Sequence, residues 1–320
     1  SLQKLSLSLS DCGALDDISG FQALTNLPHL QDCRLDFTGT GLRTMSALAS
    51  GMSGHPALTA ITLDFSGCQH LQDLSPFKHV QNLEGVRDCT MGVRGTAIRD
   101  ASGVSECLSG MANLTTLSLD FCDCKALLDL EAFNSMTGLG LLQEVKVNFS
   151  RSAIQDAQAL WFRLSHVEQL QSLTLTFCGC PSLRGVGGSH SLSSLKFLRE
   201  CKLDFSAFMG KSLIQDIGGL GEGLGGMERL EKLSLSFAEC VGLTELRGFA
   251  ELRGLRSLRD CEMDFSKSGL ADVKELGAGL SGLAQLQNLF LNFRGCQGLT
   301  EIAGLKVLGG LEDLKECRID

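Results

Sequence analysis

The stretch Leu230–Phe249, LEKLSLSFAECVGLTELRGF, is nearly repeated 56 residues later as Leu286–Leu305, LQNLFLNFRGCQGLTEIAGL. Each copy contains three apolar residues at alternate positions, and in the first copy these are Leu233, Leu235 and Phe237. Alternation of this kind is typical of a short strand with one buried face. The stretch therefore predicts a strand that recurs along the chain.

The middle residue of this apolar triplet recurs through the whole chain. It falls at Leu7, Leu35, Leu63, Met91, Leu119, Val147, Leu175, Leu203, Leu235, Met263, Leu291 and Ile319. Every step is 28 residues except the step from Leu203 to Leu235, which is 32. The segments between triplets are long enough for crossovers that return the chain in parallel. Stacked units of strand and return segment predict a solenoid.

Two kinds of unit alternate, so the full repeat is 56 residues long. Odd units place an apolar residue at every third position of the return segment, as in Leu243, Leu246, Phe249 and Leu252. That spacing favours successive 3₁₀-like turns. Even units space them 3-3-4-3-3, as in Leu270, Val273, Leu276, Leu280, Leu283 and Leu286. The second spacing predicts an amphipathic α-helix.

At this point the residues carry a family resemblance. The stretch LEKLSLSFAECVGL has the form LxxLxLxFxxCxxL and resembles a leucine-rich repeat, and MDFSKSGLADVKELGAGLSGLAQL resembles the ribonuclease-inhibitor type. Phe at the third triplet position resembles repeats of some protists. The resemblance covers the whole chain and implies an α/β horseshoe-shaped solenoid. About twelve parallel strands would line its concave face, and α-helices and 3₁₀-like turns would alternate on its convex face. It also implies protein binding as a common use and no shared catalytic residues.

The domain organisation follows from the repeat. Residues 1–320 are expected to form one solenoid. Terminal repeats normally carry polar caps, yet the sequence starts in the strand SLQKLSLSL and stops in ECRID. We therefore expect the stretch to be a segment of a longer chain, or to be covered by a partner at its ends.

Composition narrows the classes of partner and environment. A net charge of −9 argues against nucleic acid, which needs a concentrated basic face. No apolar run is long enough for a membrane-spanning helix, which requires ~18 residues. Eleven of the 14 cysteines occupy two repeat columns, and column mates lie two strands apart, ~10 Å, too far for a disulfide. Buried free thiols favour a reducing compartment, and the localisation is otherwise unknown.

Two motifs that suggest chemistry have structural explanations. Cys122-x-Cys124 and Cys178-x-Cys180 resemble half a metal site, but they lack a second pair of ligands. The fingerprint Gly221-x-Gly223-x-x-Gly226 recurs 56 residues later within the next even return segment, so it belongs to the repeat. We expect no metal, no cofactor and no catalytic site.

A candidate binding surface lies on the predicted concave face. The outward column nearest the end of each strand is rich in acids and amides: Asp36, Asp64, Asp120, Asn148, Asp204, Asp264 and Asn292. One interpretation is a solvated face on which Arg34–Asp36 and Lys202–Asp204 neutralise each other. The other is a docking groove for a basic segment. A lone aromatic in the neighbouring outward column, Phe290, favours docking, since such residues serve as binding anchors.

Two departures from the repeat are further candidates. Trp161 and Phe162 replace small or polar residues of the other even units, which predicts an outward contact patch on the convex face. The alternative is that they fill a hole left by Ser189, which replaces an apolar residue of the odd units. The second departure is a four-residue insertion after Phe205 that displaces Phe208, Met209 and Lys211 onto a rim loop.

These observations predict a non-enzymatic protein-binding or scaffolding module, possibly a structural subunit of a large assembly. The alternative is a sensor or substrate-adaptor domain whose effector domain lies outside this stretch. The expected partner is a protein, possibly one that presents a basic segment to the concave face.

Overall fold

The computed structural model describes residues 1–128, 130–209 and 212–320. Two compact units divide the chain, Ser1–Ala153 (unit 1) and Ile154–Asp320 (unit 2). Each unit contains six of the predicted strands. The single-solenoid domain over 1–320 stays a prediction.

Unit 1 carries a parallel sheet whose strands follow the order of the chain. They are β1 (Lys4–Ser8), β2 (Asp32–Asp36), β3 (Ala60–Asp64), β4 (Asp88–Gly92), β5 (Thr116–Asp120) and β6 (Glu144–Asn148). Each residue pairs with its counterpart one repeat later, as Leu35 does with Leu63. The predicted strands and their register are therefore confirmed.

Unit 2 repeats this arrangement. Its strands are β7 (Ser172–Thr176), β8 (Glu200–Asp204), β9 (Lys232–Ser236), β10 (Asp260–Asp264), β11 (Asn288–Asn292) and β12 (Glu316–Ile319). The 32-residue step leaves the register unchanged, because Leu203 still pairs with Leu235. The four extra residues are thus confined to the loop after β8.

The return segments alternate as predicted. Even units contain short α-helices: α1 (Ser46–Met52), α2 (Ser102–Ser109), α3 (Gln158–Leu164), α4 (Gly218–Gly225) and α5 (Lys274–Leu280). Odd units contain 3₁₀ segments: Ser19–Asn26, Ser75–His79, Glu131–Gly138, Ser189–Ser194, Phe249–Gly254 and Ala303–Gly310. The spacing of apolar residues distinguishes the two, because it sets which helical rotation keeps one face buried.

Stacked phenylalanines form the centre of both units. Phe37 and Phe65 lie with ring centroids 5.4 Å apart in unit 1, and Phe205 and Phe237 lie 5.2 Å apart in unit 2. All four rings are buried. Burial of each such side chain contributes ~1.5–3 kcal/mol. The predicted Phe stack is confirmed, with Val93 as an interruption in unit 1.

The cysteine column of the odd units serves the backbone. The thiol of Cys68 donates to the carbonyl of Phe37 at 3.2 Å, and the hydroxyl of Thr40 donates to the same oxygen at 2.8 Å. Cys124 and Thr96 share the carbonyl of Val93 in the same way. Buried carbonyls need such partners. These thiols therefore have a structural role.

Glycines of the dinucleotide-like motif allow neighbouring return segments to approach closely. A Cβ atom on Gly223 would lie 2.2 Å from the carbonyl oxygen of Ser189, and one on Gly221 would lie 2.4 Å from that of Gly248. Gly279 has the equivalent contact, at 2.1 Å, with the carbonyl of Phe249. The structural interpretation of the motif is confirmed.

Helices in the described part of the chain are all too short or too polar to span a bilayer.

Candidate functional site

The acidic column on the open face of the sheet caps the turns that follow the strands. The open face is the one formed by residues that alternate with the buried triplets. Asp36 Oδ1 accepts the backbone N–H of Thr38 at 2.9 Å, and Asp264 Oδ1 accepts that of Ser266 at 2.8 Å. The other members that make this hydrogen bond are Asp64, Asp120, Asn148, Asp204 and Asn292.

Asn148 and Asn292 make the same hydrogen bond as the aspartates, each at 3.0 Å. The position therefore requires a side-chain oxygen that closes a turn, and a charge is optional. These side chains are half-buried. The N–H of Thr38 lowers the pKa of Asp36 below its ordinary value of 3.8, because it stabilises the ionised form.

The proposed neutralising pairs are wrong in detail. Arg34 forms its ion pair with Asp32 at 3.1 Å, not with Asp36. Asp204 receives both the backbone N–H of Ser206, at 2.9 Å, and its hydroxyl, at 2.6 Å. The reason is that the last acid of each strand is turned toward its own turn, away from the basic residue two positions earlier.

A groove of about 570 Å³ lies on the open face of unit 2. It is formed by two columns: the residue that precedes each apolar triplet, and the first residue between triplet positions. Its lining includes Glu200, Lys202, Lys232, Glu262, Phe290 and Glu316. Of the sequence-predicted site residues, only Phe290 lies in this groove. Asp204 and Asp264 lie on the same strands, in the next outward column.

Carboxylates outnumber cations on the open face of unit 2. The outward positions of its strands hold seven carboxylates: Glu200, Asp204, Asp260, Glu262, Asp264, Glu316 and Asp320. They hold three cations, Lys202, Lys232 and Arg318. Lys232 pairs with Glu200 at 2.7 Å and Arg318 with Asp320 at 2.8 Å. The face therefore keeps a negative surplus that opposite charges on the sheet do not cancel.

Phe290 is half-buried in this groove. On the paired strands Glu262 lies opposite it on one side and Arg318 on the other. The guanidinium of Arg318 lies 5.3 Å from the ring centroid. One face of the ring is thus held by a cation–π contact.

Trp161 is fully buried, so its predicted outward position is wrong. Its ring lies 6.2 Å from that of Phe177 and 6.4 Å from that of Phe205. Phe133 of the odd unit in unit 1 contacts Phe121 and Phe149 in the equivalent way. Trp161 therefore fills the space that Ser189 leaves, as the alternative interpretation held.

Phe162 is exposed on α3, with 52% of its surface accessible. Its ring packs against His166 at 4.8 Å and lies beneath Arg163 at 5.6 Å. The patch predicted for the Trp161–Phe162 pair is thus reduced to one aromatic residue.

Phe208 and Met209 are exposed at the rim, as the insertion predicts. Lys211 lies outside the described residues. Reasoning from sequence missed two neighbours, Leu213 and Val241, which are also exposed. It also missed the groove column before each triplet, which one further step of the period-2 alternation would have found.

Comparisons with known proteins bear on the fold. No protein-family model matches the sequence, and no curated protein matches it. The internalin InlF of Listeria monocytogenes is 19% identical in sequence, with a TM-score of 0.56, over 99% of this chain and 86% of InlF.

Two weaker structural matches have TM-scores below that of InlF. The functional domain of InlJ from Listeria monocytogenes, which includes a cysteine ladder, is 14% identical over 98% of this chain and 59% of its own, with a TM-score of 0.48. The leucine-rich repeat domain of the type III effector XopL is 16% identical over 86% and 71%, with a TM-score of 0.45. The ribonuclease-inhibitor type stays a prediction.

Proposed function

We propose that this chain, a leucine-rich-repeat solenoid, is a non-enzymatic protein-binding module that holds an extended basic segment of a partner in the groove of unit 2. Such binding suits a scaffold or a structural subunit of a larger assembly. The observation that carries the proposal is the groove itself, with its surplus of carboxylates around a half-buried phenylalanine.

Charge supports a basic ligand. Glu262 and Glu316 are exposed in the groove. Glu262 receives only a weak hydrogen bond from Ser234, at 3.4 Å. A lysine or arginine of the ligand would meet these carboxylates without first breaking an ion pair. Complementary charge of this kind mainly accelerates association and selects the partner.

The aromatic ring supports an anchored ligand. Phe290 offers an apolar surface among carboxylates, and Arg318 already covers part of it. A ligand side chain that packs on this ring would be partly desolvated, which is the environment in which single residues dominate binding energy.

The turn-capping aspartates contribute in a different way. Asp264 is committed to the turn after β10, so its replacement would disturb the turn as well as the charge. We assign it a role in the field of the face, together with its equivalents Asp36, Asp64, Asp120 and Asp204, and not a direct contact.

The test uses two fluorescent peptides of about twelve residues, one alternating Lys and Ser and one alternating Glu and Ser, long enough to cross the six strands of unit 2 at ~4.8 Å per strand. Fluorescence anisotropy should show binding of the basic peptide only. Glu262→Lys with Glu316→Lys should weaken it about tenfold, which corresponds to ~1.4 kcal/mol. Added salt should weaken it further.

The matched control changes the same charge elsewhere in unit 2. Glu222 on α4 and Glu312 are exposed and lie outside the groove. Glu222→Lys with Glu312→Lys should leave affinity within about twofold of the native protein, apart from the long-range effect of net charge. Equal weakening by both pairs, or equal binding of both peptides, would refute a specific groove.

A further inference from the structure

Four apolar side chains are exposed together at the carboxyl ends of β8 and β9. We call Phe208, Met209, Leu213 and Val241 the rim patch. Their exposed fractions are 63%, 74%, 50% and 55%. Single exposed apolar residues are ordinary, but a cluster of large ones marks an interaction surface.

The two segments that carry the patch lie side by side. The backbone N–H of Ala207 donates to the carbonyl of Ala238 at 2.7 Å, just before the insertion bulges outward. On the far side of the bulge, a Cβ atom on Gly242 would lie 3.2 Å from the carbonyl oxygen of Ile214. Leu213 and Val241 are the residues that immediately precede these two contacts.

The patch interrupts an otherwise small or polar column. The positions equivalent to Leu213 and Val241 in the other units are Gly13, Gly41, Gln69, Ala97, Lys125, Ala153, Pro181, Gly269 and Gln297. None of these residue types is a large aliphatic one. The repeat itself therefore does not explain why large apolar side chains stand at the rim of β8 and β9.

Met209 adds a second observation. Its φ of 56° is left-handed, a conformation that costs an L-residue about 1–2 kcal/mol. Five regular turns of the chain use glycine for it: Gly39, Gly67, Gly95, Gly179 and Gly295. Met209 thus combines a strained backbone with a solvent-exposed apolar side chain, and packing inside the protein compensates for neither. Such a residue is expected where the side chain serves a contact with another molecule.

We propose that the rim patch binds the apolar residues of the same partner segment whose basic residues occupy the groove of unit 2, an inference that rests on the proposed function. Both surfaces belong to the same strands, since Lys202 and Lys232 at the groove lie on β8 and β9. A five-residue strand is about 17 Å long, so about six extended residues bridge the groove and the rim. The ligand is therefore a basic segment with bulky apolar residues about six positions away.

The experiment selects random 16-residue peptides displayed on phage with three forms of the protein. They are the native chain, a groove variant (Glu262→Lys with Glu316→Lys) and a rim variant (Phe208→Ser with Met209→Gly). The rim residues are exposed and glycine suits the left-handed turn, so the rim variant should fold. Ile302→Ser is the control, since Ile302 is another exposed apolar residue of unit 2.

The native chain should enrich peptides that combine Lys or Arg with a bulky apolar pair. The rim variant should keep the basic preference and lose the apolar one, and the groove variant should do the reverse. In anisotropy, the rim variant should bind the enriched peptide about tenfold more weakly. Ile302→Ser should bind it like the native chain.

The outcomes separate the two proposals. If the rim variant still enriches apolar residues, the patch is not the site, and the groove proposal is unaffected. If the native chain enriches apolar residues without basic ones, and the rim variant loses them, the groove proposal fails and the patch remains a binding site for an apolar segment alone. If the native chain is a dimer in sedimentation and the rim variant a monomer, the patch joins copies of this chain, and the proposal is overturned.

Discussion

Replacement of Trp161 by alanine tests whether a compensating exchange holds the core of unit 2 together. Regular odd units fill this part of the core with a phenylalanine from the 3₁₀ segment, such as Phe249, which packs edge-on against Phe265 at 6.3 Å. In the unit that follows β7 that phenylalanine is Ser189, and the indole of Trp161 occupies the space from the adjacent helix. Trp161 should therefore be indispensable unless position 189 is restored.

The structure allows the magnitudes to be worked out. Trp161→Ala removes a fully buried indole, which costs about 3–5 kcal/mol. Ser189→Phe in the native background would overpack the same space and cost about 1–3 kcal/mol. The double variant recreates the regular arrangement, because the position of Trp161 is Ala49 in the first even unit. Its two costs should cancel, with a coupling energy of at least about 3 kcal/mol, at the upper end for neighbouring residues.

Two polar atoms strengthen this expectation. Trp161 Nε1 and Ser189 Oγ are both buried, and among the described residues neither has a hydrogen-bond partner. Each such atom costs about 1–3 kcal/mol. The double variant removes both, so its free energy of unfolding should equal or exceed that of the native protein.

Urea unfolding followed by far-ultraviolet circular dichroism measures all four corners of this cycle. Phe249→Ala, alone and with Ser189→Phe, is the control, because Phe249 is equally buried but two repeats away. Its effects should add within about 0.5 kcal/mol. If the double variant is as unstable as Trp161→Ala alone, the compensation does not exist, and the burial of Trp161 needs another explanation.

Three further predictions concern the turns, the thiols and the glycines. The folded pKa of Asp36 is lowered from 3.8, so its contribution to stability is present above pH 3.8 and is lost as pH falls through the folded pKa; urea midpoints of Asp36→Asn should lack that loss between roughly pH 5 and pH 2. Burial raises the pKa of Cys201 to about 12, so an iodoacetamide pulse read by mass spectrometry should label half-exposed Cys178 and spare Cys201 until the protein unfolds. Gly223→Ala would place a methyl group 2.2 Å from a backbone oxygen and should cost about 1–3 kcal/mol, whereas Gly309→Ala, with nothing within 4 Å, should be nearly neutral.

The sites were only partly predictable from the sequence. The insertion identified Phe208 and Met209 as exposed rim residues, because a departure from a fixed repeat is visible in one dimension. The acidic column was recognised, yet its main task was not. A carboxylate that closes its own turn and one that awaits a ligand have the same sequence pattern, and hydrogen-bond geometry tells them apart.

The burial of Trp161 marks the same boundary. Its helical position is outward in every other even unit, and the residue that makes room for it, Ser189, lies 28 positions away. Both facts are in the sequence, which is why the filler interpretation was available. Deciding between filler and contact required the shape of the space between them.

The sequence by itself determined the strand positions, their parallel order and register, and the alternation of α-helix with 3₁₀ segments. These features depend on periodicity, which is local and repeats often enough to exclude alternatives. Tertiary structure alone decided which side chains face each other: the indole in the gap at Ser189, the groove around Phe290, and the meeting of Leu213 with the loop after β9. Such contacts depend on volumes and directions that join residues a full repeat apart, and a linear pattern does not specify them.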